Sequence, residues 1–320
     1  MRWSTEPSVV ALGGGHGLAA SLTALRRLTP DLTAVVTIAD NGGSSGRLRE
    51  EFGVLPPGDL RMALAALCGD DRWGQTWAEV LQHRFESDGE MDGHSMGNLL
   101  MVTLWELLHD HVDGLEWVAG LLGARGRVLP MATTPLDITA EVRGAGADPE
   151  AVTTVHGQVS VATTTGEVLS VDLVPGDASA CPQAVDAVLE ADWVVLGPGS
   201  WFTSVMTHLL VPEVREALEV TRARRLLVLN LDPGTGETAG FSAGRHLETF
   251  VTLAPHLRLD AVLADPAVVD DEPALAQQCA RLGASLLVTP VGRRDRPGEH
   301  DPLRFAAALR DILATPRPPR

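Results

Sequence analysis

Residues 8–17 read SVVALGGGHG: Ser8, Val9, Val10, Ala11 and Leu12, then Gly13, Gly14, Gly15, His16 and Gly17. A short apolar run with two β-branched valines fits a strand buried on both faces, as in a parallel sheet. Glycines directly after it let the backbone turn and approach a ligand closely. The apolar spacing of Leu18 to Leu28 then predicts a helix that stops before Pro30. A strand that passes through a glycine loop into a helix is one arm of a parallel α/β fold. The helix N-terminus behind such a loop suits a phosphate. The spacing is GGGxG, not the six-residue dinucleotide fingerprint, so a phosphate loop and a ligand-free tight turn explain it equally well. His16 either contacts that ligand or is simply solvated.

The same alternation continues outward. Leu32 to Ala39 (LTAVVTIA) predicts a second buried strand, and Asp59 to Leu67 (DLRMALAAL) a helix with Asp59 as its N-cap. Residues 73–123 read as helical, chiefly Trp77 to Phe85 and Met96 to His109. Within 136–175, ITAEV, QVSVAT and EVLSVDLV alternate, carry Val and Thr, and are separated by Gly, which predicts antiparallel strands. Buried strands resume at WVVL (193–196), LLVLNL (226–231), DAVL (260–263) and SLLV (285–288), with helices near 203–224, 243–255 and 273–281. The expected fold is α/β: a doubly wound, mostly parallel, Rossmann-like sheet. Residues 1–314 are expected to form one domain with a β-rich insertion near 136–175, and 315–320 a Pro-rich flexible tail.

Composition narrows the chemistry. The 320 residues include 42 Asp and Glu against 25 basic residues, a formal net charge of −17, and every basic residue is Arg. Without Lys, neither a Schiff base nor a Walker-type lysine is available. So acidic a chain is a poor sequence-independent nucleic-acid binder, because that binding needs cations to displace phosphate counterions. It is equally poorly suited to anionic lipid, and no stretch of about 18 apolar residues predicts a membrane span. Cys68, Cys181 and Cys279 are odd in number and widely spaced, which suggests reduced thiols buried as small apolar groups in an intracellular protein. The opening segment MRWSTEPSVVALGGG is expected to lead into a strand, not to act as a secretion signal.

The candidate site residues follow the strands, where open α/β sheets place ligands. Asp40, Asn41, Gly42, Gly43, Ser44, Ser45 and Arg47 follow the second strand and offer hydroxyls, amides and a guanidinium to a phosphate or sugar. Asp40 is either part of that cradle or a turn cap. Asp59 is either an N-cap or a second carboxylate that shares Mg²⁺ with Asp40 on a diphosphate. Mg²⁺ is the one cofactor these residues suggest. His94 and Asn98, around Gly93, Ser95 and Gly97, either donate to a sugar or phosphate or belong to a capped, glycine-packed helix. Gly197, Gly199 and Ser200 follow WVVL, and Asn230 with Gly236, Glu237 and Thr238 follows LLVL. Those loops suit a base and ribose. No catalytic residue is assignable, since no carboxylate is fixed beside His94 in sequence to complete a triad.

Eight stretches, in order, resemble the YvcK family: GGGHG, ADNGGSSGRLRE, PPGDLRMALAAL, QHRF, GHSMGNLL, ARGRVLP, GPGSWFTSV and NLDPGTGETAGF. The resemblance spans roughly residues 8 to 290. Members of that family carry the name gluconeogenesis factor and are linked to bacterial cell shape. It is related to CofD, the 2-phospho-lactate transferase of deazaflavin coenzyme biosynthesis. The resemblance implies a cytoplasmic protein that binds a UDP-sugar such as UDP-N-acetylglucosamine, with no reaction firmly attached. It further implies that Gly13–Gly17 and Asp40–Ser45 are ligand loops. Gly197–Ser200 and Asn230 with Gly236–Thr238 would surround a nucleotide, and Asp40 and Asp59 would stand at metal or catalytic positions. Three positions depart from the family pattern. His16 stands where Thr is frequent, Asn41 where a second Asp is usual, and Asp232-Pro233-Gly234 in place of Met-Thr-Gln. Asn41 brings no negative charge to a cation, and Gly234 has no side chain for a base edge.

Three functions are therefore expected in descending order. The first is a nucleotide-sugar-binding regulator that links carbon metabolism to cell-wall morphogenesis. The second is a metal-dependent transferase that moves a phospholactyl-type group from a nucleotide diphosphate to an alcohol. The third is a scaffold with a relic pocket. The expected partner is a nucleotide sugar or nucleotide diphosphate, and a homo-oligomer is expected.

Overall fold

The computed structural model describes residues 6–231 and 236–316. In chain order the strands are β1 (Val9–Gly13), β2 (Leu32–Val36), β3 (Arg127–Pro130), β4 (Asp137–Arg143), β5 (Val152–His156), β6 (Glu167–Val174), β7 (Trp193–Leu196), β8 (Arg224–Val228), β9 (Ala261–Ala264) and β10 (Ser285–Val288). Seven of them form one sheet in the order β10-β9-β8-β7-β1-β2-β3, and every pairing in it is parallel. The other three form a small antiparallel sheet, β5-β4-β6.

Burial explains which segments became strands. Every residue of β1, β7 and β9 is buried, so their unbroken apolar runs are what a two-sided parallel strand requires. The edge strand β10 is only partly buried. Helix α1 (Gly15–Leu25) turns Leu18, Leu22 and Leu25, one face at helical spacing, into the core. Each fully buried leucine of this kind contributes about 1.5–3 kcal/mol. Within the same helix the hydroxyl of Ser21 donates to the carbonyl of Gly197 at 3.0 Å, which ties α1 to the loop after β7.

The remaining helices are α2 (Gly43–Phe52), α3 (Gly58–Leu67), α4 (Arg72–Gln82), α5 (Met96–Leu108), α6 (His111–Leu122), α7 (Gln158–Ala162), α8 (Pro182–Glu190), α9 (Pro212–Val220), α10 (Ala243–Leu253), α11 (Glu272–Arg281) and α12 (Pro302–Leu313). Several segments differ from the sequence reading. QVSVAT is the short helix α7, not a strand, and VTTVH (β5) pairs with β4 in its place. The break is at Gly157, whose φ of +88° ends β5, and only Val161 of α7 is buried, so the Val alternation has no sheet to serve. The predicted 203–224 helix is three pieces: a π-turn at Trp201–Val205, a 3₁₀ segment at Met206–Leu210, and α9, which starts at Pro212. The helix predicted from Trp77 to Phe85 ends at Gln82, and β2 stops at Val36 rather than Ala39.

Candidate functional site

The strand order creates the crevice. The chain leaves β1 toward β2 on one side and leaves β7 toward β8 on the other, while β1 and β7 are neighbours. Loops that diverge from adjacent strand ends leave a gap, which is where doubly wound sheets bind ligands. A cleft of about 590 Å³ lies there. Gly14, Gly15, His16 and Gly17 line it from β1, Pro198, Gly199 and Ser200 from β7, and Asn230 and Leu231 from β8. The two glycine loops touch. A Cβ on Gly17 would stand 2.2 Å from the carbonyl oxygen of Pro198, so no side chain fits. Helical geometry leaves the N–H groups of the first turn of α1 without intrahelical acceptors. One of them, from Gly15, donates to Asp59, whereas His16 and Gly17 belong to the same turn.

Asp59 does not cap its helix. The cap position of α3 is Pro57, and Asp59 sits inside the first turn with its carboxylate against the glycine loop. A Cβ on Gly14 would lie 2.5 Å from Oδ2 of Asp59. Burial and the charge of Asp40 push the Asp59 carboxyl up to about 7, against the opposing pull of the Gly15 N–H and of Arg61. Asp40 lies alongside, with Oδ2 2.8 Å from where a Cβ of Gly58 would be and Oδ1 accepting from the Gly42 N–H at 2.9 Å. The negative charge of Asp40 raises the cost of ionising Asp59, and a divalent cation would relieve it. Among the described residues, no three His, Cys, Asp or Glu side chains gather as a metal cluster. Two carboxylates with the remaining ligands from water and phosphate are a donor set that Mg²⁺ accepts.

At the other end of the cleft, Asn230 and Glu237 do different work. The Asn230 amide grips Gly199 at both edges: Nδ2 donates to its carbonyl and Oδ1 accepts from its N–H, each at 2.9 Å. Asn230 thus shapes the loop, with both ends of its amide engaged. Glu237 is only 4% exposed and lines the cleft with Thr238. Its Oε1 accepts from the Phe202 N–H at 2.9 Å, while Oε2 has no partner. Burial pushes its carboxyl up to about 7, so near neutral pH it can donate as well as accept.

The remaining candidates are placed elsewhere. Gly13, Gly197 and Gly236 are not on the cleft lining. Gly13 ends β1, Gly197 joins β7 to the loop through a bond to Leu12, and Gly236 (φ +60°) packs on Ala162. Asn41, Gly43, Ser44 and Arg47 line a separate groove at the start of α2. Ser45 is buried, and its Oγ is 2.4 Å from where a Cβ of Gly58 would be. His94 and Asn98 both bond Ser44, at 3.1 and 3.0 Å, so they brace the α2 loop rather than line the cleft. Ser95 makes no cap bond; its hydroxyl donates to the Leu81 carbonyl. The expected single cradle is thus two recesses. Sequence reading missed Gln158 and Ala162 of α7, and Gly298, Glu299 and His300 beyond β10, all on the cleft lining. The loop after SLLV could have signalled the second group, since it leaves the same sheet edge. His300 stacks on Phe305 at 4.5 Å, and burial pushes its imidazole down to about 4, against the pull of Asp265.

Residues 9–292 match the profile of the family described as 2-phospho-L-lactate transferase CofD. The chain belongs to the CofD family. It is 52% identical over 309 residues to a Mycobacterium leprae protein named "Putative gluconeogenesis factor", covering 95% of this chain and 86% of that protein. The Listeria innocua gluconeogenesis factor is 35% identical over 282 residues, covering 88% and 84% respectively. A crystal structure of a UPF0052-family protein from Bacillus halodurans superposes with a TM-score of 0.85 at 29% identity, covering 98% of this chain and all of that one. Relatives of this kind place the chain in the gluconeogenesis-factor, or YvcK, branch of the CofD family.

For this CofD-family chain the three departures resolve differently. Asn41 accepts from the Val159 N–H at 3.3 Å, so it joins the α2 loop to α7. His16 lines the cleft. Asp232, Pro233 and Gly234 lie outside the described residues, as do Arg317–Arg320 of the expected tail. Cys68, Cys181 and Cys279 are free and buried. Among the described residues no helix is long and apolar enough to cross a membrane.

Proposed function

We propose that the cleft binds a nucleotide sugar of the UDP-N-acetylglucosamine type. In this reading the protein is a cytoplasmic, ligand-sensing regulator that links gluconeogenic carbon metabolism to cell-wall morphogenesis. The observation that carries it is the convergence of the loops after β1, β7 and β8 on one crevice, with glycine backbone packed on glycine backbone. The pyrophosphate sits at the N-terminus of α1, and the nucleoside lies toward Asn230, Glu237 and Thr238. Sensing needs no acid or base. Among the described residues the cleft lining contains no Arg, so backbone N–H groups carry the anion. Asp59, at about 7, must then be protonated or bridged by a cation when the pyrophosphate is seated.

Asp59 also favours a second reading, the phospholactyl-type transfer that the family description suggests. The acceptor alcohol's oxygen would bond to the donor's phosphorus, its proton would pass to Asp59, and the nucleotide would leave as its monophosphate. A carboxylate that titrates near neutrality suits that proton. Calorimetric titration with UDP-N-acetylglucosamine and with GDP, each with and without Mg²⁺, separates the two. Sensing predicts UDP-sugar binding that survives removal of Mg²⁺ and tightens as pH falls below 7. Mg²⁺-dependent GDP binding with turnover of a deazaflavin acceptor would replace it with the transferase reading.

A further inference from the structure

The second recess, at the N-terminus of α2, has its own chemistry. It is a groove of about 930 Å³, and Arg47, Arg49 and Arg84 lie on its wall. In a chain of net charge −17 this is a concentration of the opposite sign. Arg49 is neutralised by Asp137 at 2.8 Å. Arg47 and Arg84 have no carboxylate partner among the described residues. Arg47 donates to the carbonyls of Glu90 and Asp92 at 3.1 and 2.7 Å, and Arg84 to that of Gly93 at 2.9 Å. These neutral acceptors fix both guanidinium groups and leave their charge and further N–H donors available. Glu50 is the other acid on the lining, on the same helix as Arg47.

The floor adds to the field. Gly43 and Ser44, in the first turn of α2, line the groove, where the helix dipole is positive. The Ser44 hydroxyl accepts from the Ser95 N–H at 3.3 Å and from Asn98 Nδ2 at 3.0 Å. Its one proton therefore goes to Nδ1 of His94, 3.1 Å away, which leaves that imidazole neutral with its proton on Nε2. Burial, with the like charge of Arg47, pushes His94 down in agreement. Asn98 is 1% exposed and its Oδ1 has no partner. Burial, and to a lesser degree the charge of Arg84, pushes Arg61 down to about 10 against the pull of Asp59 and Asp40.

We propose that this groove is a second anion site that takes a small organic phosphate or carboxylate, with Arg47 and Arg84 as its counter-ions. It is distinct from the nucleotide cleft and does not depend on what the cleft binds. Helix α7 links the two: Gln158 and Ala162 line the cleft, while the Val159 N–H bonds Asn41, which lines the groove.

The test is calorimetry on the full chain with glycerol 3-phosphate and, separately, malonate. The wild type is expected to bind at least one of them, more weakly as salt is added, and which one it binds tells phosphate from carboxylate. Arg47→Gln/Arg84→Gln should weaken that binding more than ~10-fold, and Arg84→Gln alone, whose one bond is to an exposed carbonyl, by several-fold with an unchanged melting temperature. Saturating UDP-N-acetylglucosamine should not displace the probe. The assignment is overturned by no binding to the wild type up to ~10 mM of either probe. Equal affinity in the double variant, or full displacement by the nucleotide sugar, overturns it equally.

Discussion

The two recesses lie at the same edge of one protein, and the two proposed sites would bind anions in opposite ways. The cleft has glycine backbone packed on backbone at its head, with Asp59, Glu237 and Glu299 on its lining and, among the described residues, no Arg. The groove is built of side chains, with three arginines on its wall. Backbone N–H groups hold a fixed position and carry only partial charge, so a cleft of that kind selects by shape and tolerates nearby carboxylates that can take up a proton or a cation. Guanidinium groups carry full charge on long stems, so the groove attracts anions strongly but is screened by salt. The difference assigns geometry-dependent recognition to the cleft and charge-dependent recognition to the groove.

Three substitutions press on that contrast. Gly17→Ala drives a Cβ into the Pro198 carbonyl. It should destabilise the fold by about 1–3 kcal/mol in urea titrations and abolish nucleotide binding while the probe still binds the groove. Loss of both ligands together in a folded variant would erase the distinction. Asp59→Asn acts through pH. Asp59 and Glu237 each rise to about 7 when folded, from 3.8 and 4.5. Their contribution to stability is thus complete below pH 3.8 and is lost as pH rises through 7. Thermal melts of Asp59→Asn should show a flatter decline from pH 5 to 8, and Asp59→Asn/Glu237→Gln a flatter one still. An unchanged slope would show that neither carboxyl is held protonated by the fold. Ser44→Ala is the mildest: it removes the bonds to His94, Ser95 and Asn98 and should cost about 1 kcal/mol. UDP-sugar affinity should stay at the wild-type value.

Most of the sheet was legible in the sequence, because SVVAL, WVVL and SLLV are short apolar runs that end in turn-forming residues. β3 was not, since RVLP is four residues with an arginine at one end and a proline at the other, and only pairing with β2 makes it a strand. QVSVAT misled because its alternation is genuine but unpartnered; the φ of Gly157 decided its fate. The glycine loops were readable as points of close backbone approach, because no side chain fits between the touching backbones of Gly17 and Pro198. Division into two recesses was not readable. It depends on contacts between distant segments: the Val159 N–H on Asn41, and Ser44 bonded to both His94 and Asn98 some fifty residues along the chain. Asp59 illustrates the limit best. Spacing left it either a cap or a second carboxylate beside Asp40, and the fold turned its carboxylate onto the Gly15 N–H, within the field of Asp40.

In the proposed function, main-chain N–H groups grip one pyrophosphate where β1 and β7 part. Co-crystallisation with UDP-N-acetylglucosamine and Mn²⁺ tests it most directly. Phosphorus density is expected within hydrogen-bond reach of the His16 and Gly17 N–H groups, with any anomalous metal peak between Asp40 and Asp59. A pyrophosphate seated in the arginine groove instead, with the glycine loops free of ligand, would contradict it.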